Sequence, residues 1–130
     1  MSDQPRSRPL SPHLQVYNLP MTARLSILHR ISGALLVVGS VLIAAWFIAA
    51  AFSEDYYNMV MDLTLTAPGQ FVLFGWSVVL YYHLCNGIRH LLWDIGFFLN
   101  KKGAAVTNWL VLLATLVLTG ATWFCPCVLS

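Results

Sequence analysis

Residues 31–52 read ISGALLVVGSVLIAAWFIAAAF, without one Asp, Glu, Lys or Arg. A helix needs about 20 consecutive apolar residues to cross the hydrocarbon core of a bilayer, and this run is long enough. Residues 63–88 and 103–130 also lack all four ionised side chains. Composition agrees: 58% of the 130 residues are hydrophobic and 9% charged, against about 25% charged in a soluble domain. Such a chain cannot cover itself with polar groups in water. The pattern predicts an all-α membrane protein of three transmembrane helices, spanning roughly 27–52, 68–93 and 104–125 within one membrane domain over 22–130.

Ahead of the first span, residues 1–21 are expected to form an extended arm, because Pro5, Pro9, Pro12 and Pro20 prevent one amphipathic helix. The same prolines argue against a mitochondrial transit helix. A polar leader of about 30 residues and a long apolar run argue against a cleaved signal sequence, although Ala49, Ala50 and Ala51 resemble a cleavage box. The N-terminus as written is read as mature. Thr22 is the expected cap of the first helix, Pro68 suits the first turn of the second, and Pro126 is expected to stop the third. Cys85 lies within a span, Cys125 and Cys127 flank Pro126, and none is given a role.

The seven cations are Arg6, Arg8, Arg24, Arg30, Arg89, Lys101 and Lys102. All precede the first span or fall at the connection between the second and third. Lys and Arg resist translocation, so this distribution places the N-terminus and the Lys101-Lys102 loop in the cytoplasm, with the first connecting loop and the C-terminus on the periplasmic side. The acids Glu54, Asp55 and Asp62 then sit outside.

Ionisable residues at membrane depth are functional candidates. On the second span His83, Gly87, His90 and Asp94 follow i, i+4, i+7 and i+11, one face of a helix, with Arg89 beside them. His83 lies six residues from Arg89, about 9 Å deeper into the membrane. A neutral imidazole there needs either an interhelical hydrogen bond or a metal, and haem iron is a common client of a bundle histidine. Gly87 leaves room for a flat macrocycle or for close helix packing. Because the first span leaves the cytoplasm as the second returns to it, His29, Arg30, Arg89 and His90 share a level. They form a ring suited to haem propionates, while snorkelling explains the arginines equally well. Ser26, Arg30 and Gly33 share a face of the first span. A hydroxyl and a guanidinium beside an apolar cleft can hold a quinone oxygen, or Ser26 can bond back to its own helix.

Two stretches carry a family resemblance. The first runs Arg8-Pro9-Leu10-Ser11-Pro12-His13-Leu14-Gln15-Val16-Tyr17 and on to Ser26-Ile27-Leu28-His29-Arg30-Ile31-Ser32-Gly33. The second is His83-Leu84-Cys85-Asn86-Gly87-Ile88-Arg89-His90-Leu91-Leu92-Trp93-Asp94-Ile95-Gly96. With the three-span layout they resemble the cytochrome b subunit of succinate dehydrogenase, the succinate:quinone oxidoreductase or complex II. The third span resembles that family only in hydrophobicity.

The resemblance implies that His83 is an axial ligand of haem b, that His29 and Arg30 contact a propionate, and that Ser26 and Arg30 bind ubiquinone; Arg89 and His90 stay further propionate candidates on their shared level alone. It implies a heteromeric helical bundle in which a second three-helix anchor subunit shares the haem, and flavoprotein and iron-sulfur subunits carry the succinate chemistry. This chain has neither a nucleotide fingerprint nor a cysteine set for a cluster. A lipid membrane is the expected surface, with no nucleic acid. A bacterial inner membrane is implied, or its mitochondrial descendant. A rival reading is a haem-free anchor or a proton-relay subunit working through His83, His90 and Asp94.

The cation distribution generates the first prediction. In sealed cells, a cysteine introduced beside Lys102 stays unreactive toward a membrane-impermeant thiol reagent and reacts once the cells are opened; labelling in sealed cells would reverse the orientation.

Overall fold

A computed structural model describes residues 18–125. The arm up to Tyr17, the expected stop at Pro126, and Cys127 lie outside the described residues. Four helices follow in order: α1 (Met21–Phe52), α2 (Glu54–Leu65), α3 (Ala67–Asp94) and α4 (Lys101–Phe124). There is no strand among the described residues. With 32, 28 and 24 residues, α1, α3 and α4 are about 48, 42 and 36 Å long at 1.5 Å per residue, against a hydrocarbon core of about 30 Å. Each is long and apolar enough to cross a bilayer. Over the described residues the protein is an all-helical membrane protein with three such helices.

Pro20 opens α1 without a side-chain cap, its carbonyl accepting from Ala23 N and Arg24 N at 3.0 and 3.2 Å. Thr22 is therefore not the expected cap. It sits inside the first turn, where its hydroxyl accepts from Asn108 Nδ2 of α4 at 3.1 Å. Pro68 does occupy the first turn of α3, and Thr66 caps that helix by accepting from Gly69 N at 3.2 Å.

The connection after α1 is not a loop. Ser53 turns the chain with extended backbone and caps α2, with Glu54 and Asp55 in the first turn. Acids there complement the positive end of the helix dipole. Val60, Met61 and Thr64 form the half-buried side of α2. The ring of Tyr57 stacks on Trp46 of α1 at 6.4 Å, and Gln70 Nε2 donates to the Thr64 carbonyl at 2.8 Å.

Polarity is inverted relative to a soluble bundle. The buried apolar side chains are Leu25 and Val111, whereas Ser32, Asn86, Arg89, Thr107, Asn108, Thr115 and Thr119 are buried polar residues. Val38, Val41, Leu42, Phe71, Leu91 and Leu116 are exposed. Lipid tails are as apolar as leucine, so exposed apolar surface carries no penalty there, and helices associate instead through close packing and hydrogen bonds. In α4 the residues Thr107, Val111, Thr115 and Thr119 recur every four positions and make one stripe. Thr115 bonds back to the Val111 carbonyl at 2.8 Å, which satisfies its hydroxyl inside the bundle.

Cross-links set the register. Tyr82 OH donates to the Leu25 carbonyl at 2.6 Å, Tyr81 and Thr122 hydroxyls meet at 2.6 Å, and Trp123 Nε1 donates to Ser77 Oγ at 2.9 Å. Between α1 and α3 the approach is governed by Gly39, which is buried: any Cβ there would overlap the indole of Trp76. Glycine is the side chain that lets the ring lie against the α1 backbone.

Gly39→Val is therefore expected to lower the stability of the detergent-solubilised protein by about 1–3 kcal/mol. Trp76→Leu in the same chain should return part of that loss, because two residues in contact are not additive. Thermal unfolding followed by helical circular dichroism reads both, and strictly additive losses would place the strain elsewhere.

Candidate functional site

One face of α1 is built from Leu25, His29, Ser32, Gly33, Leu36 and Gly39, all buried or half-buried. The spacing of three and four keeps them in line along the helix. It meets the face of α3 that carries Trp76, His83 and His90. Where the two faces cross, three imidazoles form a row. His29 stacks on His83 with centroids 4.1 Å apart and planes at 17°, and His90 lies 5.1 Å from His29, tilted at 37°. Trp93 closes the row, edge-on to His90 at 5.3 Å. The expected common face of His83 and His90 is thus occupied by a histidine from the neighbouring helix.

Two glycines make room. A Cβ on Gly33 would lie 3.1 Å from Cε1 of His83, so a larger residue would press on that ring. On Gly87 a Cβ would make only ordinary contact with His29, at 3.7 Å.

Ser32, 4% exposed, joins the two helices at this crossing. Its hydroxyl donates to the His29 carbonyl at 2.7 Å and lies 3.0 Å from Nδ1 of His83. No hydrogen bond reaches Nε2 of His83 from the described residues.

Ser26 and Arg30 run along the edge of the same α1 face, Ser26 half-buried and Arg30 exposed. Ser26 makes no hydrogen bond among the described residues, so the back-bond to its own helix is not formed. Asp94 is exposed at the last turn of α3.

Arg89 points elsewhere. It is 2% exposed, its Nη1 donates to Asn108 Oδ1 at 2.6 Å, and its guanidinium lies over the Trp93 ring at 4.3 Å. Asn108 passes the link on to Thr22.

Several buried polar atoms at this level have no partner among the described residues: His29 Nδ1, Trp93 Nε1, Arg89 Nε and Nη2, and both amide atoms of Asn86. Asn86, at 0% exposure, is one turn from His83. Buried polar groups are ordinarily satisfied, so orphans gathered in one region mark a place where further groups bind. No group of three or more His, Cys, Asp and Glu side chains able to hold a metal ion occurs among the described residues.

The sequence pattern singles out His83, His29 and His90 but gives no role to Ser32, Asn86 or Asn108. The i, i+3 spacing of His29 and Ser32 is the available signal for the first.

Residues 4–122 match the profile of the succinate dehydrogenase/fumarate reductase transmembrane subunit. The chain belongs to that family. It is 38% identical over 120 residues to the succinate dehydrogenase cytochrome b556 subunit of Rickettsia felis, covering 89% of this chain and 90% of the relative. The cytochrome b556 subunit of Paracoccus denitrificans is 40% identical over 116 residues, covering 89% of each. A mitochondrial inner membrane protein of Saccharomyces cerevisiae is 39% identical over 128 residues, covering 88% of this chain and 62% of the relative. The family expected from the two motifs is the one found, and the matched region takes in both motifs and nearly all of the three long helices.

Proposed function

We propose that this chain anchors a succinate dehydrogenase in the membrane, holds one face of a haem b, and supplies part of a ubiquinone-reduction site. The observation that carries the haem reading is His83. It lies inside a helix long enough to span the bilayer, Nδ1 faces Ser32 at 3.0 Å, and Nε2 has no hydrogen bond from the described residues. A histidine held through one ring nitrogen with the other bare is how protein scaffolds present an iron ligand. The relatives' name, cytochrome b556, denotes a b-type haem protein.

The residues present fit that group. His83 would hold the iron, and His29, with Nδ1 unpartnered, and the exposed Arg30 would meet the propionates. Arg89 is less suited, being turned toward Asn108 and Trp93. Haem b, when bound, supplies a one-electron carrier at membrane depth.

A second membrane subunit would supply the histidine that completes the haem site. Within this chain His29 lies face to face on His83, and His90 is on the same helix as His83, so neither would hold the group together with it.

For quinone reduction, Ser26 and Arg30 are the proposed donors. An unengaged hydroxyl and an exposed guanidinium one helical turn apart can direct hydrogen bonds to one carbonyl oxygen and stabilise the negative charge that grows there. Electrons would reach this site from succinate through flavoprotein and iron-sulfur partner subunits. The geometry favours this over a proton relay: His29 and His83 meet face to face, His29 and His90 are tilted at 37°, and no hydrogen bond joins one imidazole to another among the described residues. The proposed compartment is a bacterial inner membrane, with the N-terminus and the Lys101-Lys102 loop cytoplasmic.

Two expected outcomes test the reading. The purified complex shows a reducible b-type spectrum with a low-spin bis-histidine signal, lost in His83→Leu, and this chain purified as a monomer gives no such signal. Ser26→Ala and Arg30→Lys each lower ubiquinone reduction at least about 10-fold while succinate oxidation by a soluble dye persists. Parallel loss of both activities would mean failed assembly instead.

A further inference from the structure

We propose that Ser32 is a positioning residue for His83, one hydroxyl that fixes its tautomer and its ring orientation and thereby sets how strongly Nε2 donates to iron; this rests on the haem reading above. The argument is a count of hydrogens. A serine hydroxyl has one proton and two lone pairs. In Ser32 the proton is directed to the His29 carbonyl at 2.7 Å, the shorter of its two contacts. What remains toward His83 is a lone pair, so the 3.0 Å contact is satisfied only if Nδ1 carries the hydrogen and donates. Nδ1–H leaves the lone pair of the neutral ring on Nε2, the nitrogen without a hydrogen bond from the described residues.

The opposite assignment fails on two counts. If Ser32 donated to Nδ1, it would give up its bond to the His29 carbonyl, and the hydrogen would move to Nε2, where no acceptor stands among the described residues. The tautomer with hydrogen on Nδ1 keeps both Ser32 contacts, and the other keeps one.

Orientation is constrained from two sides. Ser32 holds Nδ1 and the His29 ring covers one face at 4.1 Å, while the absent side chain of Gly33 leaves space beside Cε1. Of these, only the Ser32 contact distinguishes one ring nitrogen from the other. A bond accepted from Nδ1–H makes the imidazole more electron-rich, which favours the oxidised metal and tightens its hold.

The experiment uses the assembled complex and three substitutions. Ser32→Ala removes the hydroxyl. Ser32→Thr and Ser32→Val have nearly the same shape as each other and differ by that hydroxyl. The haem midpoint potential, the low-spin electron paramagnetic resonance signal and the rate of haem loss to an acceptor apoprotein are measured on each. Expected are a more positive potential, an altered low-spin signal and haem loss about 10- to 100-fold faster in Ala and Val, with Thr matching the parent. Ala and Val complexes that assemble without haem, while Thr retains it, carry the same conclusion.

Thr and Val behaving alike, whether both unchanged or both haem-free, would show that bulk matters and the hydroxyl does not, overturning the proposal. An Ala variant indistinguishable from the parent overturns it too. The His83→Leu control separates this from failure of the underlying reading: haem retained in His83→Leu withdraws the ligand assignment itself, and Ser32 with it.

Discussion

A guanidinium taken into the interior of a membrane bundle has to find hydrogen bonds there, and Arg89 makes one, from Nη1, by reaching across to α4. Its bond to Asn108 and its stack over Trp93 hold the charge, and Asn108 then donates to Thr22 at the start of α1. One relay of three side chains ties all three long helices together at one end. With that end fastened, the antiparallel run of α1 and α3 brings Ser32 level with His83 and Gly39 level with Trp76. The histidine row depends on this alignment, because a shift of one residue between α1 and α3 would part the rings of His29 and His83.

The lipid environment accounts for the polarity of the relay. Between apolar helices in an apolar solvent there is little hydrophobic gain from association, so specificity falls to small residues and hydrogen bonds. That is why Thr107, Asn108, Thr115 and Thr119 face inward while leucines and valines face out. The candidate site is a local form of the same rule, in which polar side chains from α1 and α3 converge where membrane depth would otherwise exclude them.

The long helices were legible because a charge-free run of that length is too long for a soluble core and matches the thickness of a bilayer. His29, His83 and His90 were legible because an ionisable residue in an apolar context stands out. The helix α2 was not legible. Its twelve residues include Glu54, Asp55 and Asp62, the hydropathy pattern breaks there, and its formation depends on the Ser53 cap and on contacts with α1 and α3. The inward stripe of α4 escaped for a different reason: threonines such as Thr107 and Thr115 bond back to their own helix, so their spacing is no sign of polarity until neighbouring helices bury them. The direction of Arg89 was equally hidden, since i, i+1 adjacency to His90 says nothing about which neighbouring helix a side chain meets. Family resemblance supplied roles for Ser26, Arg30 and His83, but not the hydroxyl of Ser32 that links His83 to α1.

The contact of Trp76 with the backbone at Gly39 also governs how chains of this kind can diverge. The two positions fill a single volume, so bulk acquired at 39 has to be surrendered at 76, and substitutions there should accumulate as matched pairs across a lineage. Exposed positions such as Val41 and Leu116 are under no such bond and are expected to change one at a time among apolar residues. A record of paired change at 39 and 76 would therefore trace the separation of α1 and α3, and with it the geometry of the histidine row.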